Sequence, residues 1–386
     1  MSLYIFLGCT QNYGYNFSAV NTKTEFLARG LHKEGCNVII HNGIYGSKKV
    51  GKEMYVEKEG IGKVVTYKMY GHKLISWIFN LPILYKYLKK SKIPNSKNFI
   101  LLELPEYHIF LLYVILGKLL NYKILVISHE WGPIVKSVKL YKRPSMWLFA
   151  KTFGYMVDGI LPISEYIIKK IVHFDKPYLK IPVLADYSKF PDLCTKNKDN
   201  NSYLLYCVHA LYTKQIFMII DSYKHYLTTN NTFKLYLILS GSNEARNVIK
   251  RYIEKENLTN DIKIKYSLPY DELFELYCNA QALIIPLDPN EEQDRARFSQ
   301  KIAEYLSSGT PIISNKVGEI KYYFENFNNI ILCEYKVDSF AETFKWIAKN
   351  QKKSKEIGIN GFHLGLQEFN YEYYGKKIIE FSNSLS

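Results

Sequence analysis

Three patterns that would assign a protein class at once are missing from this sequence of 386 residues. It has no Cys-x-x-Cys pair, so its six cysteines are expected to be reduced thiols rather than zinc ligands or disulfides. No apolar run reaches about 18 residues, so no transmembrane helix is expected. There is no Asp-x-Asp pair and no zinc-ligand spacing, so we expect no metal site. The opening MSLYIFLG lacks a basic region and predicts a first strand rather than a signal peptide, and hence a cytoplasmic protein.

Acidic residues are scarce. The chain has 36 Asp and Glu against 51 Lys and Arg, a formal net charge of +15. Such a charge predicts an anionic partner, which could be a phosphate-bearing ligand, an anionic membrane surface or nucleic acid. No recognition motif supports nucleic acid, so we do not expect that partner. An AT-rich genome, which enriches Lys, Asn, Ile and Tyr, would produce the same excess.

The order of segments predicts two domains. Hydrophobic residues make up 47% of the chain, enough for two cores. Strand-like and helix-like segments alternate, as in LYIFLG, TKTEFLARGLHKEG and CNVIIHN, which predicts parallel βαβ units. The polar stretch 191–202 interrupts this alternation and reads as a linker. We therefore predict an α/β protein whose two Rossmann-like domains, 1–190 and 203–368, face each other across a cleft that holds the ligand.

The stretch RFSQKIAEYLSSGTPIIS, residues 297–314, predicts a helix that runs directly into a strand. Ser299 is a candidate N-cap because its hydroxyl can accept an early backbone N–H. Gly309 suits the left-handed residue that ends a helix, and Pro311 prevents the helix from continuing.

The same helix carries a candidate anion site. Its N-terminus presents unpaired N–H groups, and Arg297 and Lys301 lie close to it in the sequence. Glu304, one turn further on, could accept hydrogen bonds from both hydroxyls of a ribose. The pattern predicts a nucleoside-diphosphate site, although a solvated Lys301–Glu304 pair on an ordinary helix would give the same spacing.

The segment FSQKIAEYLSSGTPIIS followed by NKVGEI resembles the donor site of family 4 glycosyltransferases, a group 1 family with the GT-B fold. VDGILPISEYIIKKI, IPVLADYSKF and the stretch from LYLILSG to QALIIPL are similar to further segments of that family. The resemblance covers about residues 18–350 and is strongest in the second half. It implies that 1–190 binds the acceptor, that 203–368 binds the nucleotide sugar, and that a C-terminal helix in 369–386 packs back on the first domain.

The resemblance also implies roles for individual residues of the second domain. Glu304 falls on the second acid of the family's E-x7-E motif, which binds the donor ribose, whereas the first acid is replaced by Ala296. Lys301 and Lys214 fall on lysines that bind the donor phosphates, and the N–H groups near Ser299 suit the same leaving group.

In the first domain the resemblance singles out a histidine and a loop. His129 ends a strand where the family places a histidine facing the donor sugar, and Glu130 is its neighbour and competitor. Gly14 lies in a loop that would approach the phosphates. Lys23 falls where many members have an arginine on the first helix.

The function implied is transfer of a sugar, with retention of configuration and without a metal, from a nucleotide-diphosphate sugar to a glycan or polyprenyl-linked acceptor. The expected setting is bacterial surface polysaccharide: capsule, O-antigen or exopolysaccharide. No cofactor other than the donor substrate is expected. Two alternatives stay open, a GT-B sugar-nucleotide epimerase and a non-catalytic family member that binds nucleotide or partner proteins.

Two basic and aromatic stretches, 61–102 and 131–157, suggest how the acceptor is reached. The first contains HKLISWIFNLPILYKYLKKSK, and the second combines Lys, Arg and Trp147 without an acid. Such stretches predict peripheral contact with an anionic membrane, here the cytoplasmic face of the inner membrane. A core helix with a solvated lysine face is the alternative.

Overall fold

The structure is a computed structural model. It describes residues 2–10, 19–45, 54–69, 76–103, 106–135, 139–188, 202–229, 232–266 and 268–385. The chain divides into two compact units. The first comprises Met1–Leu184, Ala296–Phe298 and Tyr371–Ser386, and the second comprises Ala185–Arg295 and Ser299–Asn370. The predicted linker 191–202 lies outside the described residues except for position 202.

The first unit is built on a seven-stranded sheet with the order β3-β4-β2-β1-β5-β6-β7. Its strands are β1 Leu3–Leu7, β2 Asn37–Tyr45, β3 Met54–Lys58, β4 Gly62–Met69, β5 Asn98–Leu102, β6 Lys123–Ser128 and β7 Gly159–Pro162. All neighbouring pairs are parallel except β3 with β4, an antiparallel edge that the sequence pattern did not indicate. Strands β1 and β5 are buried along their whole length, which agrees with their uninterrupted apolar sequences.

Helices cover this sheet and complete its core. They are α1 Ala19–Lys33, α2 Ser76–Ser91, α3 Tyr107–Leu119, α4 Arg143–Met156, α5 Glu165–Ile171 and the C-terminal α14 Tyr371–Ser384. Helix α14 packs on α1, where Phe26 stacks on Tyr371 with ring centroids 5.7 Å apart. The last helix of the chain is therefore part of the first unit.

The second unit has a six-stranded parallel sheet with the order β10-β9-β8-β11-β12-β13, the Rossmann strand order. The strands are β8 Tyr203–His209, β9 Lys234–Ser240, β10 Ile262–Tyr266, β11 Ala282–Ile285, β12 Ile312–Ser314 and β13 Ile331–Leu332. The helices are α6 Thr213–Leu227, α7 Asn243–Lys255, α8 Tyr270–Asn279, α9 Glu292–Ala296, α10 Gln300–Leu306, α11 Ile320–Tyr323, α12 Val337–Lys349 and α13 Gln351–Glu368.

One cysteine departs from the sequence prediction. Cys9, Cys36, Cys207 and Cys333 are free thiols, whereas Cys278 is disulfide-bonded. The expectation that all six thiols are reduced is therefore wrong at Cys278. Spacing along the chain could not show this, because pairing depends on a close approach in the fold.

Among the described residues, no helix combines the length and the apolarity that crossing a bilayer would require.

Candidate functional site

The first part of the candidate site lies at the carboxyl edge of the second sheet. His209 ends β8, and Gly241 directly follows the neighbouring strand β9. Gly241 has φ +115°, and a Cβ at this position would come within 3.0 Å of His209 Cε1. The loop after β9 therefore approaches His209 closely and requires the absence of a side chain.

Cationic side chains surround this edge. Burial lowers the pKa of His209, and the positive charges of Lys301 and Arg246 lower it further. The guanidinium of Arg246, on α7, lies over the Tyr266 ring at 4.9 Å from its centroid. Lys301 and Arg246 thus bring two positive charges to the end of β8, where an anionic ligand would be stabilised.

Helix α10 brings Glu304 to the same edge. Glu304 is 9% exposed and lies one turn after Lys301. Burial raises the pKa of the Cys207 thiol on β8. The positive charge of Lys301 lowers this pKa and the negative charge of Glu304 raises it, so both side chains act on the end of β8. The hydroxyl oxygen of Tyr305 accepts a hydrogen bond from the Cys207 backbone N–H at 3.2 Å, which fixes α10 against β8. The structure therefore brings together Lys301 and Glu304 and adds Arg246 and His209.

The sequence predicted the C-terminal end of α10 correctly but not the cap at its N-terminal end. Gly309 has φ +66°, so the predicted helix stop is confirmed. The prediction that the Ser299 hydroxyl caps the helix is wrong, since it makes no capping hydrogen bond. The residue type favours a cap, but the bond also requires a rotamer that points the hydroxyl at a backbone N–H.

Lys214, predicted to bind phosphate, has a carboxylate partner. Its Nζ lies 2.7 Å from Oδ2 of Asp288, and the Lys214 side chain is 66% exposed whereas that of Asp288 is 1% exposed. The hydrogen bond between them raises the pKa of Lys214. Burial acts to raise the pKa of Asp288, but the hydrogen bond from Lys214 helps to hold the pKa of this carboxyl below its ordinary value. The backbone N–H of Asn290 also donates to Asp288, at 2.9 Å. Asp288 therefore fixes the position of the Lys214 ammonium.

For two of the predicted donor-site residues, Arg297 and Gly14, a position beside Lys301 and Glu304 stays a prediction. Arg297 belongs with Ala296 and Phe298 to the first unit, so its place beside Lys301 stays a prediction. Gly14 lies outside the described residues. Ala296, which stands where the resemblance expects an acid, is buried, and its carbonyl accepts a hydrogen bond from the Ser164 hydroxyl at 2.6 Å.

In the first unit, His129 pairs with a carboxylate that the sequence did not single out. Nδ1 of His129 lies 3.0 Å from Oε1 of Glu103. The two residues directly follow β6 and β5, which are neighbours in the sheet. Glu130, the predicted competitor, is exposed. Lys23 contributes its positive charge to the environment of both His129 and Glu103, so the structure does bring this predicted residue near the histidine.

Three residues of these groups were missed by sequence reasoning: Glu103, Arg246 and Asp288. Each follows a strand of a parallel sheet, directly or a few residues on, and that position was the available signal. A single sequence contains many polar residues after strands, and their side-chain partners are set by the fold.

Comparison with known proteins agrees with this architecture. Residues 194–363 match the family model described as Glycosyl transferases group 1. Among solved structures, sucrose-phosphate synthase from Thermosynechococcus elongatus superposes with a TM-score of 0.75 at 13% identity, covering 100% of this chain and 98% of that one. A glycosyltransferase from Rickettsia africae gives 0.71 at 13% identity, with coverages of 100% and 98%. HepE from Anabaena, in complex with UDP and glucose, gives 0.72 at 12% identity and 99% coverage of both chains. No curated protein matches the sequence significantly.

These likenesses cover both units, so the prediction of an α/β GT-B fold with two domains and parallel sheets is confirmed. The family match covers the second unit's sheet and the group around Lys301 and Glu304. The chain has the GT-B fold, and its residues 194–363 are similar to the group 1 glycosyltransferase family.

Proposed function

We propose that the protein is a retaining glycosyltransferase of family 4 that takes a sugar from a nucleoside-diphosphate sugar. The observation that carries the proposal is that Lys301 and Glu304 on α10 both act on Cys207, while Lys301 and Arg246 act on His209, inside the segment that matches the group 1 family. HepE, which shares the fold, binds UDP and glucose, and this supports a nucleotide sugar as donor.

In this proposal the cationic side chains bind the diphosphate of the donor and the carboxylate binds its ribose. Lys301 and Arg246 stabilise the leaving diphosphate, and the buried Glu304 accepts the ribose hydroxyls. Because fixed cations at this edge supply the positive charge, we propose that transfer does not require a metal ion. Lys214, Ser299, Arg297 and Gly14 are proposed as further donor contacts, and His129 is proposed to face the sugar.

The acceptor is proposed to be a glycan or a polyprenyl-linked glycan of surface polysaccharide, reached at the cytoplasmic face of the inner membrane. Helix α4 and the turn before it support this proposal. They expose Leu140 (77%), Tyr141 (70%), Trp147 (58%) and Tyr155 (59%). Lys139, Arg143 and Lys151 are exposed among them, and Lys151 lies over the Trp147 ring at 5.7 Å. We call these seven residues the α4 surface. Exposed aromatic and cationic side chains together suit an anionic interface.

The stretch 61–102 contributes less to such a surface than its composition suggested. Its strand β5 is entirely buried, and Leu84, Tyr87 and Leu88 on α2 face the core. Its exposed cations include Lys86, Lys89 and Lys90. The α4 surface is therefore the stronger candidate for membrane contact.

A nucleotide-binding protein without turnover is the second candidate, and the observation that favours it is Ala296, which stands where the family motif has an acid. The epimerase alternative has no described feature in its favour, since it would not need the α4 surface.

The donor site is tested by a thermal-shift screen with UDP, GDP, ADP and CMP, followed by turnover of the matching sugar nucleotides. A ligand at a hundredfold excess over its Kd stabilises the native state by about 2.7 kcal/mol. We expect one nucleotide to raise Tm, Glu304→Ala to lose most of that shift, and Glu272→Ala, at an exposed position on α8, to keep it. Stabilisation without turnover of any sugar nucleotide would favour the non-catalytic candidate.

Membrane contact is tested by co-sedimentation with vesicles of phosphatidylcholine alone or with phosphatidylglycerol added. Each lysine near an anionic surface contributes about 1 kcal/mol. The double reversal Lys139→Glu and Lys151→Glu should reduce binding to the anionic vesicles more than tenfold. The matched reversal of Lys250 and Lys255 on α7 should not. Equal binding of both variants would remove the α4 surface from the proposal.

A further inference from the structure

Glu103 and His129 form a pair at the carboxyl edge of the first sheet. Strands β5 and β6 run parallel with Leu102 opposite Val126, so the residues that follow them emerge side by side. Nδ1 of His129 lies 3.0 Å from Oε1 of Glu103, which is hydrogen-bond distance. His129 is 6% exposed, so its ring has little freedom to turn away from the carboxylate.

The environment decides where the protons of this pair lie. Burial lowers the pKa of His129, and nearby Lys23 lowers it further, against the opposite effect of Glu103. Burial alone would raise the pKa of Glu103, but His129 and Lys23 hold it below its ordinary value. The pair is therefore a carboxylate and a neutral imidazole near pH 7. A neutral imidazole has one proton, and the contact with Glu103 requires that proton on Nδ1.

We propose that Glu103 is a positioning residue: it holds the His129 ring with the proton on Nδ1, so that Nε2 accepts a hydrogen bond from a hydroxyl group of the sugar substrate. This inference rests on the proposed function, which supplies the sugar substrate and its hydroxyl groups.

The chemistry of the pair selects the part of the substrate that can approach it. Oε2 of Glu103 is buried and has no hydrogen-bond partner among the described residues, so the pair offers acceptors. The other titratable groups acting on the pair are Lys23, the exposed Glu130 and the buried Cys9. A carboxylate beside a neutral imidazole disfavours phosphate and favours hydroxyl donors. The pair therefore suits the sugar rather than the diphosphate.

The tautomer is measured by NMR on protein with ¹⁵N-labelled histidine, with His129→Asn to assign the signals. In the wild-type protein near pH 7 we expect a protonated Nδ1 and an unprotonated Nε2. Glu103→Leu should abolish the preference for Nδ1, while the matched control Glu57→Gln, at an exposed position on β3, should leave it unchanged. A wild-type ring protonated on Nε2, or on both nitrogens, would overturn the inference even if the variant failed to fold.

Contact with the sugar is measured in the same spectra. UDP-glucose, GDP-mannose and ADP-glucose are compared with UDP, GDP and ADP, and a hydroxyl donated to Nε2 should shift that nitrogen only for a sugar-bearing nucleotide. A nucleotide that binds in the thermal-shift screen while its sugar nucleotide leaves Nε2 unshifted would refute the sugar contact. If no nucleotide binds at all, the proposed function fails, whereas the tautomer result stands separately.

Kinetics distinguish positioning from a purely structural role. For a sugar nucleotide that is turned over, Glu103→Leu should lower kcat roughly 100-fold, since a misplaced group costs about that much, with little change in the KM for the donor. An equal loss in Glu57→Gln, or a change confined to KM, would contradict the positioning role.

Discussion

The ammonium of Lys214 lies 2.7 Å from the buried carboxylate of Asp288, so a lysine proposed to bind phosphate already has an anionic partner. Helix α6 carries the lysine, and the loop after β11 carries the carboxylate. A donor diphosphate would have to share this ammonium with Asp288 or draw it away. The carboxylate therefore weakens the attraction that Lys214 can offer to a phosphate.

We predict opposite effects from the two halves of this pair. Asp288→Asn removes the competing charge while keeping an oxygen that can accept from the Asn290 N–H, and UDP or GDP should bind about fivefold more tightly, roughly 1 kcal/mol. Lys214→Ala should weaken the same binding. Isothermal titration calorimetry measures both affinities.

The control for that prediction is another ion pair of the second unit. Lys224 and Glu256 are also 2.7 Å apart, and Glu256→Gln removes the carboxylate partner of Lys224. Glu256→Gln should leave nucleotide affinity unchanged. If Asp288→Asn instead weakens binding as much as Lys214→Ala, then Asp288 serves chiefly to orient the lysine.

A second prediction concerns the loop after β9. Gly241→Ala should destabilise the protein by about 1–3 kcal/mol, because the residue has φ +115° and the new methyl group would lie 3.0 Å from His209 Cε1. It should also weaken nucleotide binding, because His209 and the cations beside it must shift. Urea denaturation and the thermal-shift assay measure the two effects.

Gly35 provides the matched control for Gly241. It has φ +78°, but a Cβ there would have no atom within 4 Å. Gly35→Ala should lower the free energy of unfolding by about 1 kcal/mol, because only the left-handed backbone conformation opposes the new side chain. Nucleotide binding should remain intact. Similar binding losses in both variants would show that stability, rather than the His209 contact, controls the effect.

The sequence predicted the fold well because its signals are local and periodic. The apolar run of β1, the amphipathic α1 and the left-handed Gly309 each report the conformation of their own segment. The antiparallel strand β3 escaped prediction because an edge strand has a weaker apolar pattern, as Val56, Glu57 and Lys58 are exposed. Repetition of βα units then indicated parallel sheets without knowledge of any long-range contact.

The candidate site was predicted only in part because its contacts are distant in the chain. Lys301 and Glu304 lie on one helix, and their spacing is enough to place them together. Asp288 and Lys214 are 74 residues apart, and Glu103 and His129 are 26 apart. Nothing in a single sequence links such residues. Residue type also failed for Ser299, because a hydroxyl caps a helix only in a suitable rotamer.

A third prediction follows from a buried histidine of the first sheet. His41, on β2, is 3% exposed and packs edge-on against Tyr87, with ring centroids 5.9 Å apart. Burial lowers its pKa from 6.5 to about 4. The unfolded chain therefore takes up a proton near pH 6.5 that the native protein does not bind until about pH 4. The native protein therefore has a stability above pH 6.5 that it loses as the pH falls from 6.5 to about 4. The total loss in the free energy of unfolding is about 3 kcal/mol.

Urea denaturation at pH 7.5, 6 and 5 measures this loss. His41→Gln should reduce the difference in unfolding free energy between pH 7.5 and pH 5 by about 2 kcal/mol, because pH 5 lies about 1.5 units below the pKa of 6.5, even if the variant is less stable at every pH. An unchanged difference would mean that His41 is protonated in the native state at pH 5.

A fourth prediction concerns the C-terminal helix. Gly30 on α1 and Gly375 on α14 lie at a close crossing of the two helices, and a Cβ on Gly30 would come within 2.7 Å of the Tyr371 carbonyl oxygen. A Cβ on Gly375 would meet the Gly30 backbone, which cannot give way as a side chain would. Gly375→Ala should therefore cost about 1–3 kcal/mol of the free energy of unfolding, although alanine has the higher helix propensity.

The control for this prediction is Lys376→Ala, an exposed position one residue further along the same helix, where the substitution should change the unfolding free energy by less than about 0.5 kcal/mol. Hydrogen exchange locates the effect: α1 and α14 should lose protection together in Gly375→Ala, because each supplies the surface on which the other packs. Faster exchange in α14 alone would show that α1 folds without it and that the terminal helix is an accessory of the first unit rather than part of its core.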